Sequence, residues 1–249
     1  EMSKKRREKI GKFFTLSEEE FKEFSTSLSP EELEASLLEK KPESFPELTL
    51  TVATDMDNSF KEKGKEWSVT KDLKAENVDT AFNTVFLPLL SIMESDNRNV
   101  ANGERNLVID IILGRKRIST ASGYYQLTRA AVEDAVKWIP NAEELYPEVI
   151  ESLSKTWQKG IHNLRNVDRE TQAKLALTYL FNIQIEGEPG RGDKYITEFT
   201  KAYLNNDINK MVEYWKKLYS EGYHTLDKKT KKLPQNVSDR LEKITKEFF

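Results

Sequence analysis

Residues 88–100 read PLLSIMESDNRNV, and residues 119–128 read STASGYYQLT. The first is an apolar run that ends on a carboxylate, Glu94. The second joins Gly123 to Tyr124, Tyr125 and Gln126. Upstream of Glu94, residues Phe82, Val85, Phe86, Leu89, Leu90 and Met93 recur at helical spacing, one buried stripe. Pro88 inside that stripe predicts a kink or a restart of the helix. Glu94 lies one step, ~100°, around from Met93, at the edge of the buried face. A carboxyl there loses hydration, which favours its neutral form. A carboxylic acid still protonated near neutral pH is what general-acid chemistry requires. Alone, Glu94 reads as an ordinary helix-end residue, and the Gly-Tyr-Tyr-Gln element as a helix start with core aromatics. Taken together, the two stretches are expected to face each other across a cleft. Glycine lets backbone approach a ligand, tyrosine offers a ring face and a hydroxyl, and Gln126 offers both donor and acceptor.

Composition narrows the chemistry. The 249 residues are 33% charged and 37% hydrophobic, a globular balance with a well-charged surface and length enough for a core without covalent staples. There is no cysteine, so disulfides, thiolate metal sites and cysteine nucleophiles are excluded. Only His162 and His224 are present, so a histidine-rich metal site cannot be assembled. No metal or cofactor is expected. A formal net charge of -3 gives no basic field for nucleic acid. No apolar run approaches the length of a membrane span. The start, EMSKKRREKIGKFF, lacks the long apolar region of a secretory signal. It begins on Glu1 rather than Met, as an excised or processed piece of a longer protein does.

Along the chain, residues 1–75 read as a charged, mostly helical N-terminal arm and linker. Helix starts are marked by Ser17 before Glu20 and by Ser29-Pro30 before Glu32. LTLTVATDM alternates with period two, which predicts a strand or extended linker, and the polar stretch 58–77 reads as loop. Asn102-Gly103 and the β-branched run LVIDIILG predict a short hairpin or lip. From residue 122 onward the pattern is helical, with LTRAAVEDAVKWI stopped by Pro140 and DRETQAKLALTYLFNIQ capped by Asp168. The expected class is α+β, mostly α, with the second domain over 76–249.

These pieces resemble the lysozyme-like superfamily, and within it the lambda-type phage endolysins, which are lytic transglycosylases. The resemblance rests on a Glu-Ser pair ending a helix, an intervening hairpin and a Gly-x-Tyr-Gln element opening the next helix. It continues with NLVIDIILGR, with DRETQAKLAL around Gln172, and with LNNDINKMVEYWKKLYSEGYH, in which Asp207, Ile208, Trp215, Leu218, Gly222 and Tyr223 correspond. It covers about residues 80–226. Tyr219 stands where the family has proline, the insertion at 140–164 is longer than the family's, and residues 1–75 have no counterpart.

The resemblance implies a lysozyme-like helical domain with a small β-hairpin lip. It also implies cleavage of the β-1,4 bond between N-acetylmuramic acid and N-acetylglucosamine in peptidoglycan. Glu94 would protonate the glycosidic oxygen, the muramic 6-hydroxyl would attack the anomeric carbon, and a 1,6-anhydro end would result. No second carboxylate is needed, unlike the two-carboxylate glycosidase scheme. Should water act instead, as in a muramidase, Asp96, Glu104 and Asp110 are the nearby carboxylates and nothing chooses among them. Tyr124, Tyr125 and Gln126 would line the cleft floor, and Tyr223 would close a rim. Ser95 reads equally as helix-end support or ligand contact. Gln172 and Gly123 brace the floor, and Trp215 reads as core. The implied setting is a phage virion or the host cytoplasm before release, with action at the periplasmic cell wall. The charged N-terminal arm reads as a solvated surface, or alternatively as helices that dock onto a partner such as a virion structural protein. A non-catalytic virion structural protein that keeps the fold is the other class.

Overall fold

A computed structural model describes residues 43–101, 121–139, 141–151, 153, 164, 167–186, 192–223 and 232–249. Of these, 74% are helical and 2% lie in strands, which places the chain in the mostly helical class. The expected helices before residue 43, the turn at 102–103, the apolar run 107–114, most of the helix expected over 145–164, and both histidines lie outside the described residues, as do Glu104 and Asp110. The described residues fall into two compact units: Glu43 with Arg98–Gln172, and Ser44–Asn97 with Ala173–Phe249.

In the second unit the alternating segment does not form a strand. Residues 44–51 carry no regular structure, and helix α1 (Val52–Glu62) begins within the LTLTVATDM stretch. Val52, Ala53 and Met56 bury one face of α1, so a helical stripe overrides an alternation only three apolar residues long. The polar stretch after it also orders, into α2 (Ser68–Asp72) and α3 (Ala75–Ala81). Of its apolar residues Trp67, Val69 and Ala75 are buried, as is Val78 just after it, while Phe60 and Leu73 are half-buried.

The start of α1 is capped from a distance. Thr51 makes no side-chain cap. The Asp79 carboxylate of α3 accepts from Ala53 N–H at 2.7 Å, Thr54 N–H at 3.0 Å and Thr54 Oγ1 at 2.6 Å. It satisfies donors that a helix start leaves open, at the positive end of the helix dipole. Asp79→Ala strands those buried N–H groups. It is expected to lower the unfolding free energy by about 2–3 kcal/mol, read from urea midpoints; an unchanged midpoint would deny the cap its role.

Aromatic rings fill the core of this unit. Phe82 sits 4.9 Å from Phe181, 5.1 Å from Phe199 and 5.0 Å from Phe86, and Trp67 lies 5.9 Å from Phe181. Edge-on and tilted ring pairs add to the burial each ring already brings. Phe181 comes from α8 (Arg169–Glu186) and Phe199 from α9 (Gly192–Leu204), which packs on α2, α3 and α10 (Ile208–Leu218). Between α3 and α4 (Leu87–Ser95) the chain widens into a π-helical turn, Phe82–Phe86. Pro88 then falls in the first turn of α4, where its missing N–H costs little. The helix restarts there, as the proline predicts. The last helix, α11 (Gln235–Phe248), packs against α4.

In the first unit, β1 (Val100–Ala101) pairs antiparallel with β2 (Ser122–Gly123). Residues 124–126 turn, and Ser122 N–H donates to the Leu127 carbonyl at 3.1 Å. The following helix does not open at Tyr124. It starts at α5 (Arg129–Trp138), where Thr128 Oγ1 accepts from Ala131 N–H at 3.3 Å. Two short helices, α6 (Ala142–Leu145) and α7 (Pro147–Glu151), follow. Asp168 caps α8, as its sequence position predicts, accepting from Thr171 N–H at 2.9 Å and from Thr171 Oγ1 at 2.6 Å.

Candidate active site

Glu94 occupies the last turn of α4, and that turn is tied down on every side. Asp96 and Asn97 both take left-handed backbone, φ 54° and 56°, which Asp and Asn tolerate better than other non-glycine residues. Their N–H groups return to the Ile92 and Ser91 carbonyls, each at 3.0 Å. Ser91 Oγ donates to Asn97 Oδ1 at 2.7 Å, and the buried Ser95 Oγ donates to the Ser91 carbonyl at 3.0 Å. The sequence Glu-Ser-Asp-Asn thus writes a helix stop in which Ser95 serves the backbone.

The Glu94 side chain is half-buried, and Tyr219 Oη donates to its Oε1 at 2.7 Å. Burial pushes the Glu94 carboxyl up from 4.5 to about 7, against the opposing pull of the Tyr219 hydrogen bond and the Arg240 charge. Loss of hydration outweighs both favourable partners, the ordering expected where a carboxylate leaves water. The Tyr219 hydroxyl is itself held far above its ordinary range by burial and by the Glu94 charge. Because Oε1 accepts from Tyr219, the acid form carries its proton on Oε2.

Tyr219 belongs to a column of rings. It stacks on the fully buried Trp215 at 5.8 Å and on Tyr223 at 6.5 Å, and Tyr179 meets Tyr223 edge-on at 6.2 Å. Trp215, Tyr219 and Tyr223 follow one another at intervals of four residues, and α10 loosens into a π-helical turn over Tyr219–Tyr223. Single π turns recur at functional sites because they rotate side chains out of the α register. Here one carries the partner of Glu94 and another precedes α4. Tyr219→Phe removes a bond that favours the carboxylate. The Glu94 titration is expected to move above its wild-type position of about 7. Carboxyl NMR with labelled glutamate reads this, and an unmoved or lowered titration would contradict the pairing.

The Gly-Tyr-Tyr-Gln element lies in the first unit, as does Gln172. Tyr124, Tyr125 and Gln126 are only 6%, 1% and 7% exposed, so they form the body of a tight turn rather than an open surface. Gln126 takes φ 48° and its Nε2 donates to the Gly123 carbonyl at 2.7 Å. The Arg169 guanidinium lies 4.2 Å over the Tyr124 ring, and the Tyr124 hydroxyl donates to Glu43. Fully buried Gln172 holds the turn from below. Its Oε1 accepts from Tyr124 N–H at 2.9 Å, and its Nε2 donates to the Leu164 and Val167 carbonyls at 2.7 and 2.8 Å. Gly123 has φ +82°, and a Cβ there would meet Gln172 Oε1 at 2.1 Å. Only glycine fits.

Glu94, Ser95, Trp215 and Tyr223 therefore share the second unit, and Gly123, Tyr124, Tyr125, Gln126 and Gln172 share the first. Sequence reading missed Tyr219 and Arg240. Tyr219 had a signal, the four-residue spacing of Trp215, Tyr219 and Tyr223; Arg240 had none. A cavity of about 580 Å³ in the second unit is lined by residues that include Leu48, Asp79, Asn83 and Pro88 but not Glu94. Among the described residues no cluster of His, Asp and Glu could hold a metal ion, and no helix is long and apolar enough to cross a membrane. No protein-family model matches the chain, and neither a curated protein nor a solved structure matches it.

Proposed function

We propose that this chain is a peptidoglycan lytic transglycosylase, phage-encoded, in which Glu94 is both acid and base. The observation that carries the reading is the Glu94–Tyr219 pair: a half-buried carboxyl, hydrogen-bonded on one oxygen and titrating at about 7. Such a group is about half protonated at neutral pH, where an ordinary glutamate is almost wholly ionised, and can give that proton to a leaving oxygen.

The step balances without a cofactor. Glu94 Oε2 delivers its proton to the glycosidic oxygen as the bond from that oxygen to the muramic anomeric carbon breaks. The muramic 6-hydroxyl adds to that carbon, and its proton passes to the Glu94 carboxylate. The sugar leaves with a 1,6-anhydro end, and Glu94 is reset. General acid–base help of this kind contributes ~10²–10⁴ in rate, with positioning supplying the rest. On this reading Tyr223, half-buried at the more open end of the ring column, stacks on a sugar. Ser95 fixes the acid's helix end; Tyr124, Tyr125 and Gln126, buried in a turn that Gln172 pins from below, are given no contact with the sugar.

The substrate is the glycan strand of the bacterial cell wall, reached from a virion or from the host cytoplasm. Attachment to a virion protein through the N-terminal arm belongs to the same proposal; its sign is recovery of the chain in purified particles. The test of the activity is turbidity loss of permeabilised Gram-negative cells. Clearing is expected, and cells that stay turbid at high protein concentration would favour a non-catalytic virion protein instead.

A further inference from the structure

We propose that Arg240 is the positioning residue of the acid-bearing turn: it holds the end of α4 against α11 and places a fixed cation beside Glu94. The proposal rests on the transglycosylase reading for its catalytic meaning, but its geometry stands apart from that reading. Arg240 Nη2 donates to the Ile92 carbonyl at 2.7 Å and to Asp96 Oδ1 at 2.6 Å. Ile92 is two residues before Glu94, and Asp96 two after. One guanidinium thus brackets the acid on both sides along the chain. It is a second donor to a helix-end carbonyl that already accepts from Asp96 N–H, and it pairs with the residue that stops the helix.

α11 reaches the other half of the acid's environment as well. Lys216 Nζ of α10 meets Glu242 Oε1 of α11 at 2.7 Å, one turn before the π-helical segment that carries Tyr219. Leu241, Ile244 and Thr245 bury the inner face of α11. The exposed Lys216–Glu242 pair contributes little stability by itself, but Arg240 and Glu242 connect the same helix to both elements of the Glu94–Tyr219 pair. The ionisable groups that act on Glu94 are Tyr219 from the turn after α10 and Arg240 from α11; Asp96, at the end of Glu94's own helix, is paired to Arg240. α11 lies beyond residue 226, outside the stretch that resembles the endolysins.

Arginine suits this place because the two N–H donors on its one Nη2 lie fixed in the guanidinium plane and serve both acceptors at once. Lysine keeps the charge but loses that fixed planar pair of donors; glutamine keeps some hydrogen bonding and loses the charge. The experiment compares Arg240→Gln and Arg240→Lys in the full chain, with Glu94 followed by carboxyl NMR and wall clearing followed against pH. In Arg240→Gln the Glu94 titration and the alkaline limb of activity are expected to move up together, by roughly half a unit to one unit. In Arg240→Lys the titration is expected to stay near wild type while the rate falls on the order of tenfold, from misplacement of the acid. A Glu94 titration unmoved in Arg240→Gln, alongside a lowered melting temperature, makes Arg240 a purely structural residue and overturns the proposal. A Glu94 titration that shifts in Arg240→Gln, while the wild-type chain clears no walls, supports the placement of Arg240 and counts against the transglycosylase reading alone.

Discussion

Glu94→Gln is expected to cut wall clearing by ~10²–10⁴-fold and, at the same time, to make the protein more stable above pH 7. The two effects share one cause. Glutamine keeps the shape of the side chain and an oxygen for the Tyr219 hydroxyl, but it has no proton to give. In the folded wild type, Glu94 titrates at about 7 rather than 4.5. The folded chain therefore binds more protons than the unfolded chain between those values, and stability falls as pH rises through that window. The shift corresponds to about 3 kcal/mol lost by the wild type once the pH is above 7. Glu94→Gln never ionises and escapes that loss. Its melting temperature is expected to exceed wild type at pH 8 and to approach it near pH 4.5. A catalytic group that weakens the fold it sits in is the usual trade between activity and stability. A variant less stable than wild type at pH 8, or one that clears walls as fast, would remove Glu94 from the acid's role.

Gly123→Ala is expected to produce the largest stability loss of any single methyl addition among the described residues, roughly 3–5 kcal/mol. Two penalties combine there: a left-handed φ of +82° and a Cβ placed 2.1 Å from the Gln172 amide oxygen. Gln172 cannot yield without giving up Tyr124 N–H and two carbonyls. Gln172→Ala alone strands those groups and is expected to cost about 2–4 kcal/mol. The pair is therefore strongly coupled. In the Gln172→Ala background the 2.1 Å clash is gone, and Gly123→Ala is expected to cost only its backbone strain and a tight 3.3 Å approach to Leu164 Cβ, ~1–2 kcal/mol together. Urea unfolding of the four proteins gives the coupling, and strictly additive losses would mean that Gly123 and Gln172 do not meet.

How much of this could be read from the chain depends on whether the signal was local. The stripe from Phe82 to Met93, the restart at Pro88 and the Asp168 cap are properties of a few consecutive residues, and the sequence states them. The strand or extended linker expected over 48–56 is irregular chain only as far as Thr51; from Val52 burial of Val52, Ala53 and Met56 makes a helix, because alternation over three apolar residues is weak. The polar stretch after it reads as loop, since its order rests on the distant Phe181, met by Trp67, and on Asp79 capping a helix some 25 residues upstream. At the candidate site, the location of Glu94 at a helix end was legible, and so was the special character of Gly123. That Tyr124, Tyr125 and Gln126 turn inward was not, since nothing in Gly-Tyr-Tyr-Gln reveals that Gln172 pins the turn from below. Tyr219 and Arg240 act on Glu94 through contacts that span 125 and about 145 residues of chain; the ring spacing marks Tyr219 as part of a column, but nothing local pairs either residue with Glu94.

The most direct test digests purified peptidoglycan sacculi with the wild-type chain and with Glu94→Gln, and weighs the soluble muropeptides by mass spectrometry. The account predicts products one water lighter than hydrolytic ends from wild type, and none from Glu94→Gln. Soluble products bearing ordinary reducing ends would replace the muramic 6-hydroxyl with water as the attacking group. No soluble product from wild type, or equal release by both proteins, would contradict the central role given to Glu94.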